Sequence, residues 1–340
     1  MVATRPLPVR EMNVLPARRQ STLSIKSKGR QRKVYYTSWG YIAMKVFLTG
    51  STGFVGKQIL HDLLEKKYQV KCIVRQGSEQ KIAHHKEVEI VHGDITDPDS
   101  LPRKLAGCDV VINLVGIIRE FPGKGITFEK LHYEGTAHLV RAAREQGVRR
   151  FIQMSALGAR RDGKTQYQRT KFRAEECIRS SGLDYTIFRP SIIYGPEDKF
   201  VNLFAGMLKT QQFVPVVGNG RYQMQPVSVE NVSMGFVKSV EMNDAIGKIF
   251  AVGGPEKIEF NQIIDIIGSV LCVPPHKLHI PVFIMNLAAE MLDWLPAFPV
   301  TKDQICMLLE GNTCDEKPFF NHFGIKPIEF KQGISKYLTL

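Results

Sequence analysis

Three glycines and a tyrosine–lysine pair carry the chemistry this sequence could perform. Residues 46–56 read Val-Phe-Leu-Thr-Gly-Ser-Thr-Gly-Phe-Val-Gly, with Gly50, Gly53 and Gly56 at three-residue spacing. Gly50 suits a tight turn, Gly53 a close approach of backbone to a pyrophosphate, and Gly56 the packing of helix on strand. The helix that follows presents free N–H groups and a positive dipole end to the phosphates. Arg75 ends the next apolar run, residues 68–74. An acidic residue there would hold a ribose 2′-hydroxyl, whereas a guanidinium forms a forked, charge-assisted pair with a 2′-phosphate. Arg75, with Ser78 and Lys81 close behind, predicts NADP(H) in preference to NAD(H).

Tyr167 and Lys171 lie four apart, so on a helix they share one face. An ammonium beside a phenol favours phenolate and makes the tyrosine a usable acid or base near neutral pH. The same lysine can hold a nicotinamide ribose. The plainer alternative is an exposed helical pair.

The elements that must position these groups alternate strand and helix from Met44 onward, the pattern of a parallel sheet covered on both faces. Strands are expected at 46–48, 68–74, 88–91, 109–115, 151–154 and 185–188, and helices at 99–106, 128–146 and 171–181. Gly50, Arg75, Asp94, Asn113 and Ser155 then fall at the carboxyl ends of strands, where such sheets bind ligands. After Pro190 proline and glycine become frequent and elements shorten. This part reads as a smaller lobe, with helices at 261–271 and 283–295. Strands at 226–229 and 248–252 are expected to rejoin the large sheet. The organisation expected is a Rossmann-type doubly wound α/β core at 44–190, an α/β lobe for substrate or partner at 191–340, and a basic extension at 1–43.

That extension holds nine Lys or Arg and one acid, Glu11, and so carries +8 of the net charge of +13. It reads as an organellar transit peptide, a disordered basic arm, or residues upstream of a true start at Met44, and the last is favoured. A transit peptide would put the chain in the mitochondrial matrix; otherwise a cytoplasmic location is expected, with membrane association through a partner. The body shows no basic stripe interleaved with aromatics, so nucleic acid is not expected. Residues 280–298 are the most apolar window, but Asn286, Glu290 and Asp293 interrupt it, so no transmembrane segment is expected. Six cysteines without CxxC or zinc-like spacing suggest free thiols in a reducing compartment and no metal.

Residues 49–56, Gly93-Asp94-Ile95 and Tyr167-Gln-Arg-Thr-Lys171 resemble the extended or atypical short-chain dehydrogenase/reductase superfamily. Residues 113–120, Met154-Ser-Ala-Leu-Gly-Ala159, Arg189-Pro-Ser-Ile-Ile-Tyr-Gly-Pro196 and Gln225-Pro-Val-Ser-Val229 are similar to one branch, that of the nucleotide-binding accessory subunit of respiratory complex I and its bacterial relatives. The resemblance runs from Met44 to near the C-terminus and weakens beyond about residue 255. It implies that Gly50, Thr52, Gly53, Phe54 and Val55 surround the pyrophosphate and Arg75 meets the 2′-phosphate. It implies Asp94 and Ile95 at the adenine and Asn113, Val115 and Gly116 along the ribose. Tyr167 and Lys171 would face the nicotinamide, with Pro190 and Ile193 behind it.

Two departures from that pattern bear on turnover. Leu157 stands where active members place the Ser or Thr that polarises a substrate carbonyl, so either Ser155 serves instead or the polarising role is vacant. His132 stands for the helix asparagine before Gly135-Thr136, and reads as a satisfied core residue rather than a proton relay. The expectation is therefore a bound NADP(H) in a structural or redox-sensing role within an assembly. The alternatives are an NAD(P)-dependent oxidoreductase or sugar-nucleotide epimerase or dehydratase using Tyr167 and Lys171, and a nucleotide-sensing regulator. Phe200, Phe204, Met207 and Phe213 are apolar and would suit a quinone, a lipid-like group or a protein face, although Phe204 and Met207 also fit a core helix. Arg160 and Arg221 could receive an anionic substrate.

Overall fold

The computed structural model describes residues 44–82, 85–211, 213–292 and 300–338, and the backbone of 21–27 and 30–36. The last two segments are strands, Ser21–Ser27 and Arg30–Tyr36, paired antiparallel. The rest of the 1–43 extension, on which its reading as a leader, an arm or sequence upstream of the start falls, lies outside the described residues.

Residues Lys45–Leu340 form one compact unit. Short apolar runs make its strands: β1 (Lys45–Thr49), β2 (Gln69–Val74), β3 (Val88–His92), β4 (Val110–Asn113), β5 (Arg150–Met154), β6 (Asp184–Pro190) and β7 (Lys248–Val252). They form one seven-stranded sheet in the order β7-β6-β5-β4-β1-β2-β3 with every pairing parallel. The order reverses between β1 and β4, which opens a crevice beyond their carboxyl ends. This is the doubly wound α/β architecture the alternation predicts.

Helices α1 (Phe54–Glu65), α2 (Leu101–Leu105), α3 (Gly135–Glu145) and α4 (Gln166–Arg179) follow their strands. On one sheet face Phe47, Val111, Phe151 and Ile187 pack with Leu101, Leu139 and Ile178 from α2, α3 and α4. On the other, α6 (Val229–Ser239) lies along α1, tied by Ser233 Oγ donating to Asp62 Oδ2 at 2.6 Å. There the Phe188 ring of β6 meets Phe236 of α6, Phe250 of β7, and Phe319 and Phe323 of α10 (Lys317–Phe323).

The lobe has its own core. α5 (Val201–Thr210), α7 (Phe260–Leu271) and α11 (Phe330–Ser335) bury Phe204, Leu208, Ile263, Ile267 and Ile334 with Val214 and Val216. Phe200 and Met207 pack against that cluster, so only Phe213, 59% exposed, of the four apolar candidates faces outward. Of the two strands expected to return to the large sheet, one does: β7 pairs with β6. Val227–Ser228 instead pairs with Ile193–Tyr194 alone, as a separate two-residue ladder. Two helices, α8 (Val282–Leu292) and α9 (Lys302–Leu309), complete the lobe and pack against each other. No helix among the described residues is long and apolar enough to cross a membrane. All six cysteines are free; Cys72 and Cys108 are buried, whereas Cys272 is exposed.

Candidate dinucleotide-binding site

The glycine turn has the geometry its spacing predicts. Gly50 leaves β1 with φ +72°, a region that favours glycine. The Gly53 N–H donates to the Gly50 carbonyl at 3.0 Å, closing the turn. A Cβ on Gly56 would lie 2.1 Å from the Gly50 carbonyl oxygen, so no side chain fits there. Gly53 is exposed and caps α1 without a side chain, and the first turn of α1 has no acidic residue. Its N–H groups and dipole are therefore open to an anion. Thr52, Phe54 and Val55 are partly exposed around it, and a Cβ on Gly195 would lie 3.0 Å from the Phe54 ring.

Arg75 follows β2 directly and is exposed, with its carbonyl accepting the Ser78 N–H at 3.0 Å. That turn keeps Arg75, Ser78 and Lys81 at one corner of the sheet. The Arg75 guanidinium has no hydrogen bond or ion pair among the described residues. Asp94 turns its carboxylate into its own loop, accepting from the Thr96 N–H and hydroxyl, both at 2.9 Å. Ile95 departs from expectation: its side chain is core, buried against the place a Gly135 Cβ would occupy.

Asn113 differs more sharply. Its fully buried amide donates to Gln153 Oε1 at 2.9 Å and Thr136 Oγ1 at 3.2 Å, and accepts from Thr49 Oγ1 at 2.6 Å and the Val115 N–H at 3.3 Å. Both donors and the acceptor are used, so the side chain braces β1, β4 and β5 rather than facing a ribose. Val115 is partly buried against the core beside α3. Gly116 lies beside Lys171: a Cβ there would meet the Lys171 ammonium at 2.8 Å.

Lys171 is buried and its ammonium donates to the Met154 carbonyl, at the end of β5, at 3.3 Å. Burial pushes its pKa down to about 8, opposed by the Glu175 carboxylate, which itself pairs with Arg189. Tyr167 is half-buried and packs edge-on against Phe128 and His132. Burial pushes its phenol up to about 12. The desolvation that lowers the lysine also raises the tyrosine. Ser155 follows β5 with its hydroxyl buried and without a partner among the described residues. Pro190 is buried at the end of β6, its carbonyl accepting the Leu157 N–H at 2.9 Å, and Ile193 lies in the ladder beyond.

His132 sits in a π-helical turn, Glu129–Glu134, ahead of α3. Thr170 Oγ1 donates to the Gln166 carbonyl at 2.8 Å, so it receives the His132 Nδ1–H at 3.0 Å; Nε2 then accepts from the Ile117 N–H at 3.1 Å. Burial, then the nearby Lys171 charge, lowers its pKa to about 2. The ring is neutral and fully partnered, the core histidine that the sequence suggests.

Sequence reasoning missed the brace on α4. Thr165 and Gln168 form a capping box, with Gln168 N–H to Thr165 Oγ1 at 3.3 Å and Thr165 N–H to Gln168 Oε1 at 3.1 Å. The Thr-x-x-Gln spacing signals it, and starts α4 at Gln166, five residues before the expected 171. Glu310, just past α9, binds the same segment, and Arg160, a candidate for anionic substrate, is engaged with it at 2.8 Å. No sequence signal marks that contact. A groove of about 560 Å³ runs between α8, α9 and the start of α4, lined by Phe283, Leu287, Cys306, Thr165 and Lys164.

A family model described as NAD(P)H-binding matches residues 50–206. NADH dehydrogenase (ubiquinone) 1 alpha subcomplex subunit 9, mitochondrial, of Arabidopsis thaliana is 30% identical over 274 residues, 77% of this chain and 67% of the relative. Its Mus musculus counterpart is 30% identical over 263 residues, 75% of this chain and 69% of the relative. Among solved structures, the UDP-glucose 4-epimerase of Thermotoga maritima superposes with a TM-score of 0.69 at 19% identity, covering 86% of this chain and 98% of its own.

Proposed function

This chain belongs to the family of NADH dehydrogenase (ubiquinone) 1 alpha subcomplex subunit 9, and from that premise we propose that it holds NADP(H) as a structural or redox-sensing element of an assembly. The observation that carries the cofactor choice is Arg75, exposed at the corner beyond β2 with its guanidinium unpartnered among the described residues. Gly50, Gly53 and Gly56 would seat the pyrophosphate on the N-terminus of α1, and Gly116 would let the nicotinamide end come close to Lys171. A bound nicotinamide would supply reversible hydride transfer. On the protein side, Lys171 would orient the ribose and Tyr167 would stand as a protonated phenol.

Two features weigh against turnover: a phenol pushed up by burial and Leu157 in place of a polarising hydroxyl. Phe283, 72% exposed, and Leu287 on α8 support a protein partner at the lobe over a quinone or lipid-like group, since the relatives are named as subunits of a larger complex. The subunit relatives are named mitochondrial, which supports a matrix location if residues 1–43 act as a transit peptide.

A second reading, an oxidoreductase or epimerase using Tyr167, Lys171 and Ser155, rests on the buried Ser155 hydroxyl without a partner. One experiment separates the two. Protein purified without added nucleotide is denatured and its released dinucleotide identified. The native protein is then followed at the reduced-nicotinamide band with sugar-nucleotide, aldehyde and quinone substrates. Stoichiometric NADPH that no substrate oxidises is the expected result. Oxidation that disappears in Tyr167→Phe would replace the structural reading with the catalytic one.

A further inference from the structure

We infer that Glu310 is a positioning residue, a latch through which α9 of the small lobe holds the segment carrying Tyr167 and Lys171. This rests on the reading above that the crevice binds NADP(H). The Glu310 carboxylate, 16% exposed, collects three donors from one short stretch of chain. Arg160 Nη2 and Lys164 Nζ reach Oε1 at 2.8 and 3.2 Å, and Gln168 Nε2 reaches Oε2 at 2.7 Å. Donors to an ionised acceptor make the stronger class of hydrogen bond; burial by itself would raise this carboxylate, and the three donors together hold it below its ordinary value.

Gln168 makes the arrangement more than a surface ion pair. Its buried amide faces two ways: Nε2 to Glu310, and Oε1 to the Thr165 N–H that begins α4. A carboxylate 142 residues away thus completes the cap of the helix whose first two turns carry Tyr167 and Lys171. The other end of α9 makes a second tie. Gln304 Nε2 donates to the Ile118 carbonyl at 3.2 Å, in the loop after β4 that also holds Gly116. The helix therefore grips both loops that flank the nicotinamide end. Ordering those loops with a ligand should favour seating of α9, and seating α9 should favour the ligand by the same factor, since coupling between sites is reciprocal. Without the carboxylate, the Gln168 amide would be left buried and short of an acceptor.

The test is hydrogen exchange on the full chain with and without NADPH, for the wild type, Glu310→Ala and the near-isosteric Glu310→Gln. In the wild type NADPH should slow exchange both at residues 50–60 and at residues 302–309. Glu310→Ala should keep the first protection, lose the second, and bind NADPH roughly fivefold more weakly. Glu310→Gln, which keeps an acceptor for Gln168 but not the charge, should fall between, and it carries the test if Glu310→Ala does not fold. Protection of 302–309 that is unchanged in the variants, or absent in the wild type while 50–60 responds, overturns the latch. A wild type unprotected at 50–60 overturns the NADPH reading instead.

Discussion

Arg75 and His132 show how far a residue's type reveals its role. For Arg75 the type alone motivates the proposal, because a guanidinium at the end of the second strand suits a 2′-phosphate. Arg75→Asp should weaken NADPH binding about 10- to 100-fold, the worth of one or two charge-assisted hydrogen bonds, and spare NADH. Fluorescence titration with both nucleotides measures this, and equal losses would refute the assignment. For His132 the neighbours decide. Its pKa is about 2 when folded against an ordinary 6.5, so as acid is added the unfolded chain takes up the proton first. The stability tied to this ring is complete above about pH 6.5 and is lost as pH falls toward 2, by up to about 1.4 kcal/mol per pH unit. Melting temperatures between pH 6.5 and 5 should therefore fall less steeply in His132→Gln than in the wild type; parallel slopes would mean the ring is not the cause. Asn113 was legible as a polar residue at a strand end, but its saturated amide was not. Its partners Thr49, Thr136 and Gln153 are distant in sequence.

At the scale of elements, the turn from β1 into α1 is the most local device in the molecule, and the most legible. Its requirements fall within eleven contiguous residues, from the apolar strand to the third glycine. Gly56→Ala would drive a methyl group into the Gly50 carbonyl, where backbone meets backbone and neither can yield cheaply. We expect a cost of about 3 kcal/mol and loss of NADPH binding, read by thermal melting and titration. Retained affinity would show that the turn can open without harm. Helix α4 was less legible, because its apolar pattern begins well after its capping box. The turn before α3 gave no signal at all: the periodicity reads as one helix over 128–146, whereas residues Glu129–Glu134 take a π-helical turn that sets His132 against Ile117 and Thr170.

Across the whole molecule, the second half of the chain completes the first. β7 covers β6, α6 lies along α1, and α10 closes the rings around Phe188. A fragment of residues 44–190 would expose Phe188 and leave β6 an open edge. It should therefore show no cooperative melting transition and no NADPH binding, by circular dichroism and titration. A fragment that melts cooperatively and binds as the full chain does would make the first half self-sufficient. The sequence alone determined the alternating α/β class and the glycine turn, because each depends on hydrophobic period or on residues adjacent in the chain. Only the tertiary structure decided that Asn113 is a brace, that Tyr167 packs edge-on against Phe128 and His132, and that Arg160 is bound to Glu310. Those outcomes depend on partners brought from tens of residues away or more, which are not written in the spacing of a motif.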